Sequence, residues 1–463
     1  MRFLLLGLAA VTVLMRPATG LCDLLHVPGE YPTIQAGVEA ASESDTVLVA
    51  PGTYVEAVFV DSRIVSIVSE SGAEVTTLDA GSLPVGLWLL GTVDSSTVVD
   101  GLTITGSTYA GILCSADTSP ILRDLIVTSN DDCGLVCSSS HPSVEGCVFD
   151  ANGAYGMRID DGEVTVSGSR FHAEGLHVLH AGHAILEGCD FIGEPIAGWR
   201  PLRTPGAKVD GGRLTARGCT FSQYNELSAL RLFGSLPVFL EDCRFTDNVG
   251  ELGPAIYGEG SPVTASRCTF EANSSTENGG ALVLRWGESA SFADCLFVDN
   301  STPGLGGAVS THDIEEVQFV GCDFRGNLSG GDGGALRTYG PDLCDVLVDH
   351  CLFVGNTSAG TGSAIRTSSC SGTISNCTVA DCSSVSTGGA IHIGGTTEVM
   401  TVYECIVAGG DGYGISVSEG TQMPFVIYCD VFGMTGGEYA PPLPDFTGYY
   451  GNISADPMFC GPD

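Results

Sequence analysis

The sequence predicts an all-β chain wound as a parallel β-solenoid, and three observations carry that prediction. A short motif, C-x-F-x-x-N, recurs at intervals of 20 to 30 residues. A second, G-G-A-[ILV], stands 13 to 16 residues upstream of most copies. Glycine supplies 64 of the 463 residues, about twice its usual share of roughly 7%.

The first motif reads Cys147-Val148-Phe149-Asp150-Ala151-Asn152. It returns at Cys243 with Phe245 and Asn248, Cys268 with Phe270 and Asn273, and Cys295 with Phe297 and Asn300. It returns again at Cys322 with Phe324 and Asn327, and at Cys351 with Phe353 and Asn356. Degenerate copies begin at Leu102, Leu125, Ser169, Cys189, Cys219, Cys377, Cys405 and Cys429, making 14 in all. The second motif reads Gly279-Gly280-Ala281-Leu282 and recurs from Gly306, Gly333 and Gly388. This period is too short and too β-rich for a helical solenoid, and leucine-rich spacing is absent. Each repeat has room for two or three strands of 3–6 residues, so one repeat makes one coil. Alternation turns the Cys and Phe inward and the residue between them outward. Stacked coils then place like on like, giving an internal cysteine column and an asparagine ladder at a turn. Glycine permits the corners. Fourteen copies plus one or two N-terminal coils give 15–16 coils.

Arg2, the apolar run Phe3–Met15 and then Ala18-Thr19-Gly20 form a secretory signal over residues 1–20, with small residues at the −3 and −1 positions. The alternative is a lipoprotein signal with Cys22 lipidated, against which stands the bulky Leu21. Either destination is outside the cytoplasm: secreted or on a bacterial cell surface. No later segment has the roughly 18 uninterrupted apolar residues of a membrane span, so the mature chain carries no transmembrane segment. Residues 21–43 are a lead-in, in which 32–42 read as an amphipathic helix with Ile34, Val38 and Ala41 on one face. Such a helix caps the first coil and hides an open strand edge. Residues 44–440 are the coils, and 441–463 close the far end.

At this point the sequence resembles the right-handed parallel β-helix proteins of the pectin-lyase-like superfamily. Tyr31-Pro32-Thr33-Ile34-Gln35, followed by Asp45-Thr46-Val47-Leu48-Val49-Ala50-Pro51-Gly52-Thr53-Tyr54, is similar to the opening segment of many secreted bacterial members. The paired F-x-x-N and G-G-A-[ILV] motifs resemble those of chlamydial polymorphic outer-membrane proteins. The resemblance covers residues 26–460. It implies a right-handed winding, and it leaves activity open, because that superfamily holds lyases, hydrolases, esterases and adhesins. Its Asn-Thr-Asp, Gly-His-Gly and Arg-Ile-Lys hydrolase motifs are absent here.

Nineteen cysteines in an exported chain suggest disulfides. Eleven, however, fall on the motif and read as small buried apolar residues. Two other pairs occupy equivalent positions on adjacent coils, within disulfide reach: Cys344 with Cys370, and Cys114 with Cys137. Unbonded stacking is the alternative for both pairs.

Acids outnumber bases 55 to 18, a formal charge of −37. That excludes a general nucleic-acid binder, which needs a basic footprint. Against this background the outward residue after each G-G-A-[ILV] hydrophobe stands out: Arg158, His177, Lys208, Arg231 and Tyr257 on successive coils. The same column continues through Arg337, Arg366 and His392, and the next outward column holds Asp160, Leu179, Asp210, Phe233, Glu259, Arg285, His312 and Tyr339. The longest coil adds Trp199, Arg200 and Arg203 on a loop beside it. An aromatic ring stacks on a sugar, and a guanidinium pairs with carboxylate or sulfate. The competing reading packs Trp199 against the loop and pairs the cations with Asp160, Asp210 and Glu226. The partner expected on this face is a polysaccharide or cell-surface glycan, bound by a monomer without catalysis. Alternatives are a polysaccharide lyase or glycoside hydrolase acting in the groove, and a structural envelope stalk. No cofactor is required, although Ca²⁺ could bridge an anionic chain to an acidic protein. Asp131-Asp132 and Asp160-Asp161 are acid pairs by residue type only. His172, His177, His180 and His183 are close in sequence, but alternation places them on different strands or faces.

Overall fold

Short alternating segments can satisfy their backbone groups by pairing with the equivalent segment one coil away. The structure, a computed structural model, shows that arrangement. It describes residues 22–193, 204–385, 388–395 and 399–459, with the backbone alone at 341–343. The predicted signal 1–20 therefore lies outside the described residues. Strand Leu230–Phe233 pairs parallel with Ile256–Glu259, which pairs parallel with Leu282–Arg285, and so on along the axis. Each typical coil gives two strands to a first sheet, one C-x-F strand to a second, and in the middle coils a short strand of two to five residues to a third. Among the described residues these sheets have 31, 16 and 7 strands. Sixteen passes through the second sheet, from Gly52–Val55 to Asp430–Phe432, enclose fifteen full turns. The fold is the expected β-solenoid.

Helix α1 (Ile34–Ala40) lies at the N-terminal end. It is shorter than the periodicity over 32–42 suggests. Thr33 is extended and caps it by accepting from the Ala36 amide at 3.1 Å, and Ala41 is already extended at the other end. Ile34 and Val38 are fully buried. At the far end the closing segment continues the stacking. Asn452 accepts from the Cys429 amide at 2.9 Å and donates to the Val426 carbonyl at 2.7 Å.

Three columns fill the interior. Phe149, Phe171, Phe191, Phe221, Phe245, Phe270, Phe297, Phe324 and Phe353 stack nearly parallel, with ring centroids 4.6–5.1 Å apart. The cysteines of the motif run beside them, buried and free. Their thiols face backbone carbonyls, as Cys243 Sγ faces the Glu241 carbonyl at 3.3 Å. Ser169 takes one place in this column and bonds similarly, accepting from the Cys147 amide and donating to the Ser167 carbonyl. The third column is the asparagine ladder. Each Nδ2 of Asn248, Asn273, Asn300 and Asn327 donates to the next asparagine Oδ1 at 2.9–3.0 Å. Each also donates to a phenylalanine carbonyl, so the buried amides are satisfied.

Both uses of glycine have a steric cause. The corner before each cysteine has positive φ, occupied for example by Gly188 at 59°, Asp242 at 53° and Gly321 at 64°, a region that glycine enters freely. The second glycine of G-G-A-[ILV] is a close approach instead. A Cβ on Gly280 would sit 1.9 Å from the Gly307 carbonyl oxygen, and one on Gly307 would sit 1.8 Å from that of Gly334.

Candidate functional site

The strand after each G-G-A-[ILV] motif sets the site. Its first outward residues are aligned coil by coil: Val136, Arg158, His177, Lys208, Arg231, Tyr257 and Val283. The same column continues through Ser310, Arg337, Arg366 and His392. Two residues further along the strand, Asp210, Phe233, Glu259, Arg285, His312 and Tyr339 form the second column. Trp199, Arg200 and Arg203 lie outside the described residues.

These side chains point away from the core, as expected, but several are not exposed. His177 is 8% exposed, Tyr257 7% and His392 6%. Neighbours stacked at about 4.8 Å shield one another, and tyrosines from the preceding turns form a wall. Tyr155 lies over the His177 ring at 4.7 Å, and the Tyr109 hydroxyl accepts from Arg158 at 2.8 Å. The face is thus a row of half-buried, mutually shielding side chains rather than an open surface.

Two of the expected cations are paired within the protein. Arg158 Nε binds Asp160 at 3.0 Å, and Lys208 Nζ binds Asp210 at 3.3 Å. Three others are not. Arg231 lies between the rings of Phe233 and Tyr257, at 5.2 and 5.4 Å from their centroids. Arg285 lies 6.0 Å from the Tyr257 ring, and Arg337 lies 5.1 Å from that of Tyr339. None of the three has an ion pair or hydrogen bond among the described residues, and Arg231 Nε is buried without a partner. Most arginines on other faces differ, the exceptions being Arg213, exposed and without an ion pair among the described residues, and Arg63, which donates to backbone carbonyls. Arg123, Arg170, Arg217, Arg244, Arg267 and Arg325 are all ion-paired.

His177 lies between Arg158 and Lys208 on the adjacent coils. Burial, reinforced by Lys208 and then Arg158, pushes its pKa down to about 4. It is therefore neutral at pH 7, and its buried Nε2 has no partner among the described residues. The other nearby histidines do not join it. His172 faces Asp150 on the second sheet, His183 faces Glu163, and His180 occupies a corner. Among the described residues no three His, Cys, Asp or Glu side chains converge as metal ligands.

Cys344 and Cys370 are register partners, as are Cys114 and Cys137, and all four thiols are free and buried. Burial pushes Cys114 up to about 12 and Cys137 well above the ordinary thiol value, so both remain protonated. A separate cleft of about 370 Å³ on the third sheet, lined by Ser274, Ser301, Leu328, Thr357 and Val385, has no charged side chain in its lining.

The sequence pattern alone draws attention to the segment 158–257. It already places Arg285, Arg337 and Arg366 in the same two columns further along, where the structure puts them, but does not tell which of the cations are paired. The signal for that placement was present in the register, because the motif spacing already places Arg337 and Arg366 in line with Arg231.

Residues 71–191 and 165–324 match the right-handed beta helix region family, together more than half of the chain. The chain belongs to this family. Solved structures similar to this β-helix include the catalytic unit of a thermostable GH87 α-1,3-glucanase from Streptomyces thermodiastaticus. Identity there is 11%, over 95% of this chain and 71% of that one, with a TM-score of 0.27. The PL6 family alginate lyase AlyGC is 10% identical over 90% of this chain and 85% of that one, with a TM-score of 0.26. The Streptococcus pneumoniae surface adhesin PfbA is 10% identical over 86% and 87%, with a TM-score of 0.31. Likeness at this level concerns the winding alone. No curated protein matches the chain.

Proposed function

We propose that this β-helix is an exported or cell-surface protein that binds an anionic polysaccharide along this face of its first sheet, without catalysis. The observation that supports this reading is the contrast among its arginines. In a chain with 55 acids, the face holds Arg231, Arg285 and Arg337 against aromatic rings with no ion pair among the described residues, while most arginines on other faces are ion-paired. A desolvated guanidinium without a counter-ion is costly to the fold, and an arriving carboxylate or sulfate offsets that cost. The rings provide stacking surfaces for sugars beside the cations. From Arg158 to Arg366 the column spans eight coil steps, about 38 Å at about 4.8 Å each, so the ligand is a chain rather than a single sugar. Ca²⁺ remains an optional bridge in this reading.

A second reading, a uronate lyase, is favoured by His177. Its neutral imidazole between two cations has the character of a base able to take a proton beside a neutralised carboxylate. One experiment separates the two. The purified protein is screened against uronans, sulfated glycans and neutral glycans, with and without Ca²⁺, for binding and for new chain ends. Binding to anionic polymers with no new ends supports the first reading. Unsaturated ends that vanish in His177→Gln support the second.

A further inference from the structure

The C-terminal part of this face differs from the part around Arg158 and Lys208. Arg337 and Arg366 are register partners on adjacent strands, so their backbones lie about 4.8 Å apart. Two guanidinium groups thus come from neighbouring coils with no acidic coil between them. Arg337 lies 5.1 Å from the Tyr339 ring and within the field of Asp332, with no ion pair or hydrogen bond among the described residues. Arg366 Nη1 donates to the Thr367 carbonyl, and its Nε is buried with no hydrogen-bond partner among the described residues.

The carboxylate nearest Arg366 is that of Asp332, and it is already committed. Its Oδ1 accepts from the Thr361 amide at 2.7 Å and from the Thr361 hydroxyl at 3.0 Å. Its Oδ2 is 3.8 Å from Arg366 Nε, too long for a hydrogen bond. On the next coil His392 faces Ser416 at 2.7 Å and Ser418 at 3.0 Å. Burial and the neighbouring Arg366 hold it at about 4, so it adds no charge at pH 7. Arg285, two coils before Arg337, has Glu259 as its register partner, so Arg337 and Arg366 are the two cations that share Asp332. Arg158 and Lys208, by contrast, each have an aspartate of their own.

We infer that the Arg337–Arg366 pair is a discrete anion site, shaped for a tetrahedral oxyanion, a sulfate or phosphate ester, rather than for a planar carboxylate. Each guanidinium offers a planar fork of donors. One carboxylate has two oxygens and satisfies a single fork. A sulfate or phosphate ester has three free oxygens, enough to meet both forks at once. The inference rests on the face being a glycan site, and it specifies the ligand as a sulfated or phosphorylated chain.

The test is calorimetric titration at fixed ionic strength with sodium sulfate, sodium phosphate and sodium acetate. The proteins are wild type, Arg337→Gln, Arg337→Lys and Arg325→Gln. Sulfate or phosphate should bind once per chain, at least about ten-fold more tightly than acetate. Arg337→Gln should abolish this binding, Arg337→Lys should weaken it by loss of the fork, and Arg325→Gln, on the second sheet and paired with Asp323, should leave it intact. Dextran sulfate and polyphosphate then decide which ester fits the face. Acetate binding as tightly as sulfate would overturn the inference, as would binding that survives in Arg337→Gln or no binding of sulfate or phosphate. Failure of the glycan reading looks different: no polymer binds, yet free sulfate or phosphate still requires Arg337.

Discussion

A guanidinium taken out of water without a carboxylate weakens a fold unless something else uses it. Burial holds the Arg337 pKa below its ordinary value, the signature of a cation kept at some expense. Replacing it with an apolar residue of similar length, Arg337→Met, should therefore raise stability by about 1 kcal/mol, read as a shift of the urea midpoint, while anion binding falls. Equal or lower stability would mean that Arg337 has a structural partner. Arg231→Ala should weaken polymer binding more than Arg158→Ala, because Arg158 is already neutralised by Asp160. The histidines give a pH signature. His177 and His392 are held at about 4, below the ordinary value of about 6.5. Between those values the unfolded chain binds more protons than the folded one, so stability is full above about 6.5 and falls as pH drops towards 4. The loss is up to about 3 kcal/mol per histidine. Urea midpoints measured from pH 7 to pH 4 should show this fall, and it should be smaller in a His177→Gln, His392→Gln double variant.

Within the coil, different columns should tolerate different changes. Asn300→Ala removes the acceptor of the Asn273 side chain and the donor to the Phe270 carbonyl. Leaving buried polar groups unpaired costs about 1–3 kcal/mol each. Cys268→Ser should cost much less, since Ser169 already occupies that column with both its hydrogen bonds made. Urea midpoints of the two variants would check the order, and a larger loss for the serine would mean that the cysteine column is held by more than size. The coils are legible in sequence because each column repeats one residue type whose role is fixed by its size and hydrogen-bonding groups. Phe149, Cys147 and Asn152 announce their places. Helix α1 is read two residues too long at its start because Thr33 caps rather than continues it. The arginine face is only half legible. Register follows from motif spacing, so Arg158 to Tyr257 can be aligned without coordinates. Whether a cation is paired depends on side-chain direction across and along strands, and that separates Arg158 from Arg231. No periodicity records it.

For the whole molecule the charge balance sets the conditions of binding. A net charge of −37 repels a polyanion at long range, and salt screens that repulsion over a Debye length of about 10 Å at 0.1 M. Contacts on the arginine face weaken with salt as well, but association should be slow at very low salt and quicken at first as salt is added. Stopped-flow association rates with dextran sulfate would show that rise, and a rate that only falls would mean that the face's local field dominates. Export outside the cytoplasm belongs to the same proposal. Fractionation of the native host should find the protein in the envelope or the medium.

The central claim is that the unpaired arginines of this face bind an anionic chain. The most direct test is the salt dependence of dextran sulfate affinity for wild type and for an Arg231→Gln, Arg285→Gln, Arg337→Gln triple variant. Wild-type affinity should fall linearly with the logarithm of salt concentration, and the variant should bind more weakly with a slope smaller by about three, one for each lost cation. An unchanged affinity and slope in the variant would contradict the account.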